Sequence, residues 1–367
     1  MKALSGDRLF ALIVTILVVG GAAMFLSAAL GLLARQNADL GHLAVTQLVL
    51  GLIPGLIALV ILRFMPPKLL MQSVIPFYIF ALILTALVFT PIGVHTNGAT
   101  RWLAIGPVTV QPAEFLKIAV VLMFAGYLAK NRAKLADFKH GLLGFGLIVG
   151  IPSLLLIMQP NTSTTLVIGA TAAAMYFIAG APLRDFFILG LIAVIGFSLL
   201  VFMRPYLLER VTTFIHPSHD RLASGYQIQQ SLIAVGSGGL LGRGFGQSVQ
   251  KFNYLPEPVG DSIFAVYSEE FGFLGSVLLV LLFLGFALRG FMIASQASDA
   301  FGTFTASGLT LIITVSAFLN IGAMLSIFPL TGLPLPFISH GGTALLAALA
   351  SVGIILNIAA HRAKRRS

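Results

Sequence analysis

Long apolar runs broken by short polar segments dominate the chain. A bilayer core takes about 20 apolar residues of helix. Runs of that kind predict membrane spans at 9–33, 42–62, 69–92, 112–129, 141–158, 164–182, 186–203, 263–288, 303–327 and 343–360. One large stretch, 204–262, departs from the pattern and separates the seventh run from the eighth. Its middle, Tyr226 to Val235, reads as a short amphipathic helix suited to the membrane interface. The glycine-rich pieces that follow, Gly236–Gly239 and Gly242–Gly246, read as flexible turns. Their spacing matches neither a phosphate-binding loop nor a dinucleotide fingerprint. The pattern predicts an all-α polytopic membrane protein with about ten transmembrane helices. Residues 1–367 form a single transmembrane domain, and 204–262 is a large extracytoplasmic loop within it. The first run is long enough to span and lacks a small-residue cleavage site, so it reads as a retained helix.

Composition agrees. Of 367 residues, 58% are hydrophobic and 9% charged. An ordinary soluble domain carries about 25% charged residues. A soluble multi-domain enzyme is thereby excluded. The chain has no cysteine, which removes disulfides and thiolate metal sites. The net charge of +10 would suggest nucleic acid in a soluble protein, but membrane topology accounts for it. Of the 22 Lys and Arg residues, 14 fall on one set of loops, including Lys68, Lys130, Lys139, Arg184, Arg289 and the tail from Arg362. Seven fall on the other set, and five of those sit in the long 204–262 stretch, where the positive-inside rule is weak. The alternation requires an even number of spans and both termini cytoplasmic. The basic tail is then a topology anchor, with no nucleic-acid partner implied.

Ionisable residues inside spans are costly and point to function. Glu114 and Lys117 lie at i and i+3 on one face of the fourth span, just after Gln111-Pro112. They read equally as a structural ion pair and as a cation site for an anionic group. Asp261 stands directly before the eighth span. It fits a helix N-cap or a carboxylate base at the rim of an outward cavity. Glu269 and Glu270, farther into that span, need polar partners. The loop Pro329–Gly342 holds three prolines and three glycines, with Ser339 and His340 near its end. Such backbone survives at membrane depth only when buried in protein or lining a cavity. No set of His, Asp and Glu has the spacing of a metal cage. The residues alone leave a transporter and an intramembrane enzyme both open.

The same segments carry a family resemblance. Asn97-Gly-Ala-Thr-Arg-Trp-Leu103 and Gln111-Pro-Ala-Glu-Phe-Leu-Lys117 resemble the SEDS family of bacterial cell-wall polymerases, the FtsW/RodA family. Gly225–Ser231, Gly244–Lys251, Tyr254–Glu257, Asp261, Glu269-Glu270 and Gly332–Phe337 follow in the family's order. Ser248-Val-Gln-Lys251 before Tyr254–Pro258 is most like the division branch. There are departures. Val259-Gly260 stands where the family often has His-Thr, Asn161 where it often has Asp, and His340 where it often has Tyr.

The resemblance implies a peptidoglycan glycosyltransferase that polymerises lipid II at the outer face of the bacterial cytoplasmic membrane, for septal wall synthesis. The alternatives are a lipid II flippase or transporter, or an elongation polymerase. It implies Asp261 as catalytic base, with Lys117, Glu114, Arg101, Arg210, Ser339 and His340 around the substrate. No cofactor is firmly implied, although a divalent cation (Mg or Mn) would suit a pyrophosphate leaving group. The implied partners are a class B penicillin-binding protein and other divisome membrane proteins. Small residues in Phe271–Gly275 and Thr303–Gly308 offer either a docking strip for the partner's helix or packing within this chain.

Overall fold

The computed structural model describes residues 7–32, 45–96, 98–106, 108–215 and 224–363. The start of the second predicted span and most of the basic tail lie outside them, as do Lys2, Arg35 and Arg221. Among the described residues, eight helices are long and apolar enough to cross a membrane. They include α1 (Arg8–Leu32), α2 (Thr46–Phe64), α3 (Pro67–Phe89) and α4 (Pro112–Asn131). Two shorter apolar helices, α5 (Leu142–Met158) and α6 (Thr162–Ile178), occupy the fifth and sixth predicted places. Then come α7 (Leu183–Met203), the amphipathic α8 (Pro205–Ile215) and α9 (Ser224–Ser237). The chain closes with α10 (Ile263–Ser295), α11 (Ala300–Met324) and α12 (Gly342–Ala363). All ten predicted spans thus have a helix.

Burial sorts the helices. The apolar windows of α11 and α12 are 72% and 78% buried, so they form the centre of the bundle. Close approach helps: a Cβ on Gly353 would lie 2.6 Å from the carbonyl oxygen of Leu59, which leaves room only for glycine where α12 crosses α2. In α7 only Asp185 is buried. It accepts a hydrogen bond from Tyr176 Oη at 2.7 Å. The rest of α7 presents apolar side chains to lipid, as a helix hydrophobic all round can do only in a membrane.

Between α3 and α4 the chain forms a small antiparallel sheet in the order β1 (Gly93–Thr96), β2 (Ala99–Ile105), β3 (Val108–Val110). Val94 pairs with Trp102 and Leu103 with Val110, with an irregularity between Val94 and His95. No strand was expected there, although Asn97-Gly98 is a hairpin turn signal.

The central departure from a simple bundle is in α10. The helix breaks at Gly272, where φ is 66° and ψ is −163°. A break strands carbonyls on one side and amides on the other, and each needs a partner away from water. The loop after α9 supplies four such bonds. Arg243 N donates to Glu269 O and Gly244 N to Glu270 O, both at 3.0 Å. Phe273 N donates to Gly239 O at 2.8 Å and Leu274 N to Leu240 O at 3.1 Å. The glycine-rich pieces are therefore not flexible turns; they replace the missing helical ladder. A Cβ on Gly242 would sit 2.1 Å from Glu270 O, and Gly242 has φ +82°.

Two further expectations change. The helix expected at the interface, α9, packs against α10 and α11, with Ile228 and Ala234 buried. The proposed docking strip at 303–308 faces inward: Phe304 to Gly308 are buried, and a Cβ on Gly308 would meet Met175 and Val121. Those small residues pack α11 within this chain. Phe273 and Leu274 stay exposed.

Candidate active site

Asp261 lies next to the end of the loop 253–262 and precedes the first turn of α10. It is not a side-chain cap: Ser262 holds the cap position and no side-chain capping bond forms. Its carboxylate oxygen Oδ1 instead accepts from Gln227 Nε2 of α9 at 3.1 Å, and the same nitrogen reaches Ser262 Oγ at 2.9 Å. Backbone ties fix the loop from the other side. Asn320 Nδ2, on α11, donates to the carbonyls of Asp261 and Leu333, each at 2.7 Å. Ser339 Oγ donates to Gly260 O at 2.6 Å, and His340 N donates to Val259 O at 2.7 Å. The Pro329–Gly342 loop thus grips the Asp261 loop.

Electrostatics at Asp261 suit a proton acceptor. Burial pushes its carboxyl from 3.8 up to about 6, and the charge of Glu257 adds to the rise. The Gln227 hydrogen bond and the positive charge of Arg210 oppose it. Such a group is ionised at neutral pH yet basic enough to take a proton.

The other predicted residues divide. Lys117 Nζ and Glu114 Oε2 form a salt bridge of 2.9 Å, almost wholly buried. Both line a small cavity between α4, α11, α12 and the 333–336 segment, with Ser316 and Ser351 as its other polar residues. Asp261, expected beside the same substrate as Lys117 and Glu114, is not among the lining residues. The two places connect through Leu333, which lines the cavity and takes the Asn320 bond that also holds Asp261. Arg210 Nη1 donates to Leu330 O at 3.2 Å. Arg101 binds the carbonyls of Gln159 and Pro160, tying the outer sheet to the corner that precedes α6. His340 stacks on Phe25, with its Nε2 3.2 Å from Thr46 Oγ1.

Sequence reasoning named Ser339 and His340 but missed other residues that hold these loops. Gln47 on α2 accepts from Gly341 N at 2.9 Å through Oε1. Gln227 falls within the Gly225–Ser231 motif but was given no role there, and Asn320 carried no signal beyond being polar within an apolar helix. Lys251, counted as an outward-loop charge, is fully buried against Glu270. Among the described residues no three His, Asp or Glu side chains converge as a metal cage.

Comparison with known proteins gives consistent matches. The family model described as "Cell cycle protein", covering FtsW, RodA and SpoVE, matches residues 7–364. Stage V sporulation protein E of Bacillus subtilis is 42% identical over 294 residues, 80% of this chain and 79% of that protein. A probable peptidoglycan glycosyltransferase FtsW of Geobacter sp. is 37% identical over 285 residues, 77% of this chain and 78% of that one. A solved structure described as the structural coordination of polymerization and crosslinking by a peptidoglycan synthase complex contains a similar chain. It superposes with a TM-score of 0.79 at 28% identity, covering 98% of this chain and 99% of that one.

Proposed function

The chain belongs to the cell cycle protein family of FtsW, RodA and SpoVE, and from that premise we propose a septal peptidoglycan glycosyltransferase in which Asp261 is the catalytic base. It is a multi-pass membrane protein. Its assigned place is the bacterial cytoplasmic membrane, with both termini cytoplasmic and Asp261 at the outer face. The substrate is lipid II, a disaccharide-peptide carried on a polyprenyl pyrophosphate. The observation that carries this reading is a half-buried carboxylate with a raised pKa, aimed by Gln227 and overlooked by Arg210.

The reaction needs one base and one good leaving group. Asp261 takes the proton of the acceptor sugar hydroxyl. The freed oxygen bonds to the anomeric carbon of the donor, and the bond from that carbon to the pyrophosphate oxygen breaks with inversion. The electron pair leaves with the pyrophosphate. Positive charge from Arg210 and Lys117 favours that departure, while the 2.9 Å contact with Glu114 fixes the place of the Lys117 side chain within the bundle. Ser339 and His340 act by holding the Asp261 loop, and Arg101 by holding the outer sheet.

The likeness to proteins named FtsW and to a sporulation protein supports septal synthesis. The likeness to a chain of a complex that couples polymerization and crosslinking supports a class B transpeptidase as partner. The direct test uses purified full-length protein in lipid with lipid II, reading glycan length on a gel. Asp261→Asn keeps the shape and removes the base, so polymer formation should fall at least ~100-fold, the usual scale for a lost general base. Normal glycan from the Asn variant would overturn the assignment.

A further inference from the structure

Glu270 and Lys251 form an ion pair of 2.7 Å with neither side chain exposed. Every polar atom of the pair has a partner. Lys251 Nζ donates to Glu270 Oε1, to Ser27 Oγ at 3.0 Å and to Gly246 O at 2.9 Å. Ser27, on α1, donates to the Glu270 carboxylate at 2.6 Å, and Gly246 N reaches Glu270 Oε2 at 3.0 Å. Next to it, Glu269 accepts from Ser248 Oγ at 2.6 Å and from Val249 N and Gln250 N at 3.1 Å. A buried ion pair is weak evidence for stability, because dehydrating both charges costs about as much as their attraction returns. What such a pair does supply is a fixed geometry.

That geometry bears on Asp261. The break at Gly272 cuts α10 into an outer half, 263–271, and a long inner half. Asp261 stands just past the far end of the outer half, eleven residues from the break, where Gln227 and Asn320 meet it. At 1.5 Å per residue this is a lever of roughly 16 Å. A swing of about 4° at the break therefore moves Asp261 by about 1 Å, a displacement that can cost on the order of 100-fold in rate. Glu269 and Glu270 lie at the pivot end of the lever, and their partners come from α1 and from the loop that bridges the break.

We propose that Glu270, Lys251 and Ser27 are positioning residues for Asp261, fixing the angle of the outer half of α10 about Gly272. The inference rests on the reading of Asp261 as the base. These residues touch no substrate; they set where the base stands relative to Gln227, Glu257, Arg210 and Asn320, the groups that face it from the neighbouring elements.

The test compares Ser27→Ala, the double variant Lys251→Met/Glu270→Gln, and Asp261→Asn, each as the full chain in lipid with lipid II. The double variant removes both charges together, so neither is left buried alone. The expected result for the first two is a kcat per folded enzyme lowered at least tenfold, with KM changed less than threefold, from the ~100-fold scale of a misplaced group. The acid limb of kcat, set by Asp261, should move as well. A purely architectural cluster would reduce the amount of folded protein and leave kcat per folded enzyme and the acid limb where they were; that result overturns the proposal. If the double variant fails to fold, Ser27→Ala decides, since it deletes no charge. Asp261→Asn separates the two ideas. An inactive Asn variant beside fully active cluster variants defeats the positioning role alone. A fully active Asn variant defeats the reading of Asp261 and the positioning role with it.

Discussion

At the scale of single residues, the Asp261 carboxyl works against the fold. Its pKa is about 6 in the folded protein against 3.8 when free, so the folded state binds the proton more tightly. This contribution to stability therefore falls as pH rises from about 4 to about 6 and stays low above that. The ionised group costs on the order of 3 kcal/mol. Asp261→Asn cannot ionise, so its thermal midpoint at pH 7.5 should exceed the parent's, while near pH 4 the two should converge. Polymerisation by the parent should fall about tenfold per pH unit below pH 6, as the base becomes protonated. A flat rate from pH 7 to pH 5 would count against Asp261 as the titrating group. Asn320 makes the second prediction. Its amide satisfies the carbonyls of Asp261 and Leu333, and Asn320→Ala leaves both buried and unpaired. At roughly 1–3 kcal/mol for each orphaned group, the melting temperature and the activity should drop together.

At the scale of elements, the broken α10 depends on backbone contact with the glycine-rich loop. Gly242→Ala forces a methyl against Glu270 O, 2.1 Å away, at a φ of +82°. Backbone cannot yield as a side chain tip can, so the bonds across the break are lost with it. A loss of about 2–4 kcal/mol is expected from left-handed strain and broken bonds. Gly239→Ala is the control. It also has positive φ, but open space surrounds its Cβ, so only strain of about 1 kcal/mol applies. Thermal melts of the two variants should differ clearly, and equal losses would mean that the close approach is unimportant. The sequence showed these glycines in order, yet their role needs Glu269 and Glu270, more than 20 residues away, to be seen opposite them.

At the scale of the whole molecule, α1 and α10 run antiparallel with a polar tie near each end. Arg289 Nε meets Asp7 Oδ1 at 2.8 Å at one end, and Ser27 meets Glu270 at the other. Asp7 to Ser27 is a step of twenty residues and Glu270 to Arg289 one of nineteen, or about 28–30 Å of helix, close to the ~30 Å of a hydrocarbon core. The two ties thus lie about one hydrocarbon thickness apart, and Asp261 lies beyond the Ser27–Glu270 tie, on the side away from Arg289. Because the chain has no cysteine, single substitutions can test its direction. Tyr254→Cys, at an exposed position, should react with an impermeant maleimide on intact cells, whereas the exposed Lys139→Cys should react only after lysis. The reverse pattern would invert the topology and move the proposed site to the wrong face for wall synthesis.

The sequence by itself determined the membrane class, the ten helical places and the adjacency of Glu114 to Lys117, and it set the expected direction of insertion that the cysteine variants test. Each follows from local rules: apolar length against bilayer thickness, charge against loop, and residue spacing against helical pitch. It also supplied the ordered motifs that resemble the family, Asp261 among them. Only the tertiary structure decided that Lys251 is buried on Glu270, that Asn320 and Gln227 hold the Asp261 loop, and that the cavity at Lys117 does not include Asp261. It alone turned the 303–308 small residues inward. These are contacts between segments far apart in the chain, and a polar residue in an apolar run shows only that it needs a partner. Which partner it gets is fixed by how the helices pack and where α10 breaks.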